Sequence, residues 1–144
     1  MLFREIRFGS DEYWRACRLR EEVLRTPLGL PLSTIDVQGE SEQLHFGLFS
    51  DSGELVACVL AVVSGAHHAK IRQTAISPAY QRQGFGCRIM TELESVLVAR
   101  HIRILTLHAR STAVAFYQKL GFEVDGDEFI EVSIAHRRMI KRLA

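Results

Sequence analysis

Cysteine is scarce in this chain. The three that occur, Cys17, Cys58 and Cys87, are odd in number and scattered, with no metal-type pair spacing and no disulfide framework. A reducing, cytoplasmic setting is the simplest expectation. Charge of one sign is also lacking. The formal net charge is +1, so no global field draws the protein to nucleic acid or to a membrane surface. No apolar run approaches the roughly 18 residues a membrane span needs. The opening Met1-Leu2-Phe3-Arg4-Glu5 lacks the basic-then-apolar order of a signal peptide. Neither a Gly-x-x-x-x-Gly-Lys-Ser/Thr loop nor a Gly-x-Gly-x-x-Gly after a first strand is present, which ranks nucleotide-binding folds low. Internal repeats and low-complexity tracts are missing too.

What remains is a chain of 144 residues with 47% apolar content, enough for the core of one domain spanning 1–144. It is organised around residues 74–87. A β-branched and apolar run ends at Ile76, and Pro78 stops the strand because it cannot donate to a ladder. Beyond the loop, Phe85, Ile89, Leu93, Val96 and Leu97 recur at helical spacing. Gly84 and Gly86 fall where that helix begins, among unpaired N–H groups and the positive end of the dipole. Glycine there permits a positive φ and close approach of a phosphate, and Arg82 and Arg88 flank the turn. The local physics predicts an anion site.

Around this centre the pattern predicts alternating strands and helices. Residues 2–8 alternate as a strand, and Ser10 with Asp11 and Glu12 starts a helix running to about Leu24. Ala16, Leu19 and Val23 face inward, and Arg20 shares or borders that face, so it needs either an ion-pair partner or a substrate acid. Residues 25–42 form a long loop, either a cover for a binding site or a connector. Residues 43–50 and 54–64 make a hairpin around Asp51-Ser52-Gly53, and the nearly unbroken apolar second run marks a central strand. His67 and His68 read as a solvated turn, because neighbours on an extended chain point opposite ways and make a poor metal pair. After the 70–76 strand and the glycine-loop helix come a strand at 101–108 and a helix capped by Ser111 or Thr112. Ala113, Phe116, Tyr117 and Leu120 face that helix's core, and Gly121 ends it. A strand at Phe122-Glu123-Val124, a turn at Asp125-Gly126 and a last strand near 130–142 complete a mixed α/β layer fold.

Two stretches carry a resemblance. Gln81-x-x-Gly84-x-Gly86 after a strand resembles the acyl-CoA pyrophosphate loop of the GNAT N-acetyltransferase superfamily. Ala115-Phe116-Tyr117-Gln118-Lys119-Leu120-Gly121-Phe122 resembles that family's second signature, at the expected distance along the chain. A weaker match, Leu19-Arg20-x-x-Val23 with Glu128-Phe129 and Ile134-x-His136, is similar to a poorly characterised branch. The resemblance implies a mostly antiparallel sheet with helices on both faces and a splayed pair of central parallel strands. It implies transfer of the acetyl group of acetyl-CoA to a primary amine, without a metal. The backbone of Thr74, Ala75 and Ile76 would pair with the pantetheine arm and polarise the thioester carbonyl. Arg82, Gln83, Gly84, Phe85, Gly86 and Cys87 would hold the pyrophosphate, and Tyr117 would protonate the departing thiolate. The family also admits a homodimer.

The chain departs from that pattern twice. Arg110 stands where many relatives have a cofactor-contacting asparagine; its guanidinium can reach a CoA phosphate or the acceptor. Arg72 and Gln73 stand where many carry a glutamate base. His136 is the favoured replacement base, with Glu21, Glu22, Glu128 and His108 as the other candidates; a hydrogen-bonded structural role is the competing reading of His136. Cys87 is either a reactive thiol or a small residue packed under the loop, and Tyr117 either faces the thioester or fills the core, a task Phe116 suits better. The missing glutamate keeps a second function open: a non-catalytic acyl-CoA-binding or sensory module on the same fold.

Overall fold

The computed structural model describes residues 1–143. The chain opens with strand β1 (Leu2–Ile6) and helix α1 (Asp11–Arg20). The Ser10 hydroxyl caps α1 by accepting the Tyr13 N–H at 3.2 Å, with Asp11 and Glu12 in the first turn complementing the dipole. The helical path does not run regularly to Leu24. From Glu21 to Arg25 it widens into one π turn, closed by the Thr26 N–H donating to the Glu21 carbonyl. The segment that follows is pinned rather than free. It carries short 3₁₀ turns at Thr26–Leu28 and Glu40–Glu42, and Arg25 grips Asp36 with two bonds of 2.8 and 3.2 Å.

Strands β2 (Leu44–Phe49), β3 (Leu55–Ser64) and β4 (His68–Ile76) follow as antiparallel neighbours. Helix α2 (Phe85–Ala99) leads to β5 (Ile104–Arg110), then α3 (Val114–Lys119), β6 (Glu123–Val124), β7 (Phe129–Glu131) and β8 (Ile134–Arg142). The sheet order is β1-β2-β3-β4-β5-β8-β6, with β7 also on β8, and β4–β5 is the parallel pair. Helices cover both faces. Ile89, Leu93 and Leu97 of α2, at i, i+4 and i+8 and each 0% exposed, pack on one face with Leu48, Val56 and Leu105. Each contributes about 2 kcal/mol of burial. On the other face Tyr13, Ala16 and Leu19 of α1 cover Leu55, Cys58 and Ala75. Among the described residues no helix is long and apolar enough to cross a membrane.

Other boundaries also differ from expectation: β4 begins at His68, inside the expected turn, and three further differences have a local reason. The strand expected at 101–108 starts at Ile104, because His101 takes φ 67° and the Ile102 N–H still bonds the Leu97 carbonyl at 3.0 Å, extending the end of α2. Ser111 does not cap α3. It opens a 3₁₀ turn over Ser111–Ala113 and its hydroxyl donates to Glu128 at 3.0 Å. The strand expected near 130–142 is two strands, folded at Val132 and Ser133, whose φ values are 45° and 67°. A valine in that region is unusual, and nothing in the local sequence signals the turn.

Two features of β4 shape the site. The parallel ladder to β5 runs from His68↔Ile104 to Ile71↔Leu107 and then ceases, so residues 72–76 and 108–110 diverge. Opposite β3, Gln73 and Thr74 together face Val59, a bulge with Gln73 at φ 49°.

Candidate active site

The divergence of β4 from β5 opens a crevice of about 230 Å³, whose lining includes Leu24, Thr74, Arg110, Tyr117 and His136. Tyr117 reaches it from α3. Its ring is held edge-on by Phe116 and Phe122, at 5.0 and 5.8 Å between centroids. Burial pushes the Tyr117 phenol above its ordinary value, and the neighbouring Thr74 side chain pulls the other way. The phenol therefore stays protonated at neutral pH and is available as a donor. Phe116 does not take the core position expected of it: it is 37% exposed.

The turn after β4 exposes Gln81, Arg82, Gln83 and Gly84. Gln81 Nε2 donates to the Ile76 carbonyl at 3.0 Å and Gln83 Nε2 to the Ala79 carbonyl at 3.1 Å, so the two glutamines lash the turn to itself and to the strand. Arg82 and Gly84 both take positive φ, 62° and 85°. The Arg88 N–H donates to the Gly84 carbonyl at 3.0 Å, which leaves the amides of Phe85, Gly86 and Cys87 ahead of the first intrahelical bond. Gly86 serves packing rather than a positive φ: a Cβ there would stand 3.2 Å from Phe116 Cζ. The start of α2 and the helix carrying Tyr117 are thus in direct contact. Cys87 is exposed, not packed beneath the loop.

His136 lies on β8 across the crevice, 4% exposed. Its Nδ1 sits 2.9 Å from the Ile134 carbonyl, which can only accept, so Nδ1 donates and Nε2 is the ring nitrogen left for other partners. That Nε2 is 3.7 Å from Glu131 Oε2, while Glu131 Oε1 is 3.0 Å from His108 Nδ1. Phe129 packs on both imidazoles. The structure thus brings Tyr117, Thr74, Arg110, His108 and His136 to one crevice and adds Glu131, which the sequence reading missed. The cue to Glu131 was the Val132–Ser133 fold that brings it to the crevice, and that turn has no glycine or asparagine to betray it.

The other base candidates are not in this crevice. Glu21 accepts the Leu32 N–H at 2.8 Å, Glu128 accepts the Ser111 hydroxyl, and Glu22 is exposed. Arg110 is tethered, its guanidinium donating to the Leu24 carbonyl at 2.6 Å. Arg20 takes the ion-pair alternative. Fully buried, it donates to Glu40 Oε1 at 2.9 Å and to Gln73 Oε1 at 2.5 Å, while the Tyr13 hydroxyl donates to Glu40 at 2.7 Å. Burial alone would raise the Glu40 carboxyl, but Arg20 and Tyr13 outweigh it and hold the group below its ordinary range. Through Gln73 this buried pair props the bulge of β4. The 67–68 histidines bond His101 O and Thr106 Oγ1, and among the described residues no cluster suited to a metal ion occurs.

Comparison with known proteins bears on the family and the fold. The family model for the acetyltransferase (GNAT) domain matches residues 33–143. The Bacillus subtilis protein YyaT is 33% identical over 78 residues, which is 54% of this chain and 53% of YyaT, so the chain matches about half the length of that relative. Among solved structures, Escherichia coli ElaA superposes with a TM-score of 0.83 at 19% identity, covering 98% of this chain and 99% of ElaA. A GNAT family acetyltransferase from Elizabethkingia anophelis with acetyl-CoA bound superposes at 0.74 with 14% identity, covering 99% and 97%.

Proposed function

The chain belongs to the GNAT acetyltransferase family, and from that premise we propose that it transfers the acetyl group of acetyl-CoA to a primary amine by direct attack within a ternary complex. The observation that carries the proposal is the alignment of three features along one path: the unpaired amides opening α2, the free edge of β4 beyond Ile71, and the Tyr117 phenol beside Thr74. The Elizabethkingia relative, with acetyl-CoA bound, supports the donor's identity.

The chemistry assigned to each residue follows from its surroundings. The amides of Phe85, Gly86 and Cys87, with the exposed Arg82 and Gln83, bind the diphosphate of the donor at the positive end of α2. The backbone at Thr74, Ala75 and Ile76 extends the sheet onto the pantetheine amides and offers N–H groups to the thioester carbonyl. His136 Nε2 removes a proton from the acceptor ammonium, directly or through water, and Glu131 stabilises the imidazolium that results. The amine attacks the acyl carbon, the C–S bond breaks, the Tyr117 hydroxyl protonates the thiolate, and the second proton, shed by the attacking nitrogen as the amide forms, restores the phenol. A phenol ordinarily titrates above a thiol, about 10 against about 8.5, and burial raises Tyr117 further, so its proton is in place when the thiolate forms.

One observation favours the non-catalytic reading. Arg72 and Gln73 hold the strand positions of the usual base, and both are spent on structure: Arg72 on Gln43 and the Asp36 carbonyl, Gln73 on Arg20. A single experiment separates the possibilities. CoA and acetyl-CoA, but not ATP or NAD, raise the melting temperature under either reading. Thiol release with a panel of primary amines occurs only if the protein is the enzyme. Stabilisation by ATP without stabilisation by CoA defeats both.

A further inference from the structure

Beside the crevice, on the side away from Tyr117, lies a second lobe of about 280 Å³ that shares His108, Glu131 and Gln73 with it and adds Lys70 and Arg72 of β4. Lys70 and Arg72 stand two apart, before the bulge, and so share a face of the strand. We propose that this lobe holds an anionic group of the acceptor, a carboxylate or a phosphate, on Lys70, so that the substrate class is a small amine bearing an anion. The inference rests on the acetyltransferase reading and narrows it.

Four cationic side chains line the two lobes, Arg25, Lys70, Arg72 and Arg110, against two carboxylates, Asp36 and Glu131. Three of the cations are engaged. Arg25 forks onto Asp36, Arg72 donates to Gln43 Oε1 at 2.6 Å and to the Asp36 carbonyl at 2.8 Å, and Arg110 donates to the Leu24 carbonyl. Lys70 is half-buried and, among the described residues, makes no side-chain hydrogen bond or ion pair. An ammonium partly withdrawn from water, with Glu131 nearby but not within ion-pair distance, gains from an anion bound beside it. Burial accordingly presses the Lys70 pKa down; Glu131 opposes this, and Arg72 and Arg138 add to it.

The placement also fits the reaction. An acceptor anchored by its anion on Lys70 extends past Glu131 towards His136 Nε2, leaving the ammonium end where a proton is to be removed. The surplus of positive charge disfavours the opposite class, a lysine-rich protein tail, since like charges repel in a partly desolvated cleft.

The test uses matched pairs of amines: β-alanine with propylamine, O-phosphoethanolamine with ethanolamine, and a lysine-rich peptide as the cationic arm. With CoA bound to the full chain, the anionic member of a pair at about 10 mM raises the melting temperature and the neutral member does not. In thiol release the anionic member leads by at least about ten-fold in kcat/KM. The carboxylate and phosphate arms show which anion is preferred. Lys70→Gln raises KM for the anionic amine with little change in kcat, and Lys70→Glu inverts the preference. Retained stabilisation by CoA shows that each variant is folded. The inference is overturned if no anionic amine shifts the melting of the CoA complex, if the neutral or cationic members do as well, or if Lys70→Gln keeps the preference. Failure of CoA itself to stabilise the protein defeats the acetyltransferase reading instead.

Discussion

At the scale of single residues, Tyr117 carries the sharpest expectation. Tyr117→Phe removes one hydroxyl from a well-packed ring and so leaves stability and CoA binding nearly intact, while kcat in a thiol-release assay falls by roughly 10²-fold or more. An undiminished kcat removes the phenol from the mechanism. His136→Gln keeps the ring's approximate volume but not its basicity, and the expected result is a loss of kcat of similar size. Tyr117 was legible in the sequence because it sits in a compact run with a helical period and a terminal glycine. Glu131 was not, because its place depends on two residues, Val132 and Ser133, that bend the chain against their own preference. Asp36 offers a stability test of another kind. Although burial alone would raise its carboxyl, bonds from Arg25 and Ser33 draw it down to about 2. The unfolded chain holds this proton more tightly than the folded one, so the contribution is fully present above about pH 4 and disappears as pH falls towards 2. Its size is about 2 kcal/mol. Asp36→Asn should flatten that part of the urea-denaturation stability curve.

At the scale of elements, α1 is fastened to the sheet by a charge pair sealed from water. Arg20→Ala leaves the buried Glu40 carboxylate with only the longer 3.6 Å contact to Arg72 and the Tyr13 hydroxyl, and frees Gln73, and equilibrium unfolding in urea should show a loss of about 3–5 kcal/mol. Replacing both partners by apolar residues, Arg20→Met with Glu40→Leu, should recover much of that loss, because the buried pair leaves together and Arg72, 3.6 Å from Glu40, keeps its bonds to Gln43 and the Asp36 carbonyl. If the single and double variants are equally unstable, the cost lies in packing and not in charge. The sequence placed Arg20 on the inward face of its helix but offered no sign of Glu40, which arrives from a segment of mixed turns 20 residues later. The glycine turn was far more legible. Gly84 stands in open space at φ 85°, so Gly84→Ala is strained by its backbone alone and should cost about 1 kcal/mol in thermal melts. Gly86→Ala meets the Phe116 ring instead, and the partly exposed ring has room to yield.

At the scale of the whole molecule, the sheet is continuous except where β4 and β5 part, and that interruption is where the donor's arm is expected to lie. Binding of CoA should slow amide hydrogen exchange over residues 72–76 and at the start of α2, leaving the ladder between β2 and β3 unchanged. Protection spread evenly over the sheet would point to general stabilisation and not to an added strand-like partner. The order of elements and the two-sided layering were readable from periodicity, since each amphipathic run has a single way to bury its apolar face. Strand β7 and the late start of β5 were not, because they are set by long-range pairing and by non-glycine residues at positive φ.

The wide turn at Glu21–Arg25 has one consequence of its own. A π turn amounts to one amino acid inserted into an ordinary helix, and each position of a helix swings a side chain by about 100° around the axis. Deleting any one residue there would restore a regular coil at the expense of aim: Arg25 would rotate off Asp36, and the carbonyl that Arg110 clasps would point elsewhere. Descendants of this gene are therefore expected to tolerate exchange of letters in that stretch far better than a change in its length.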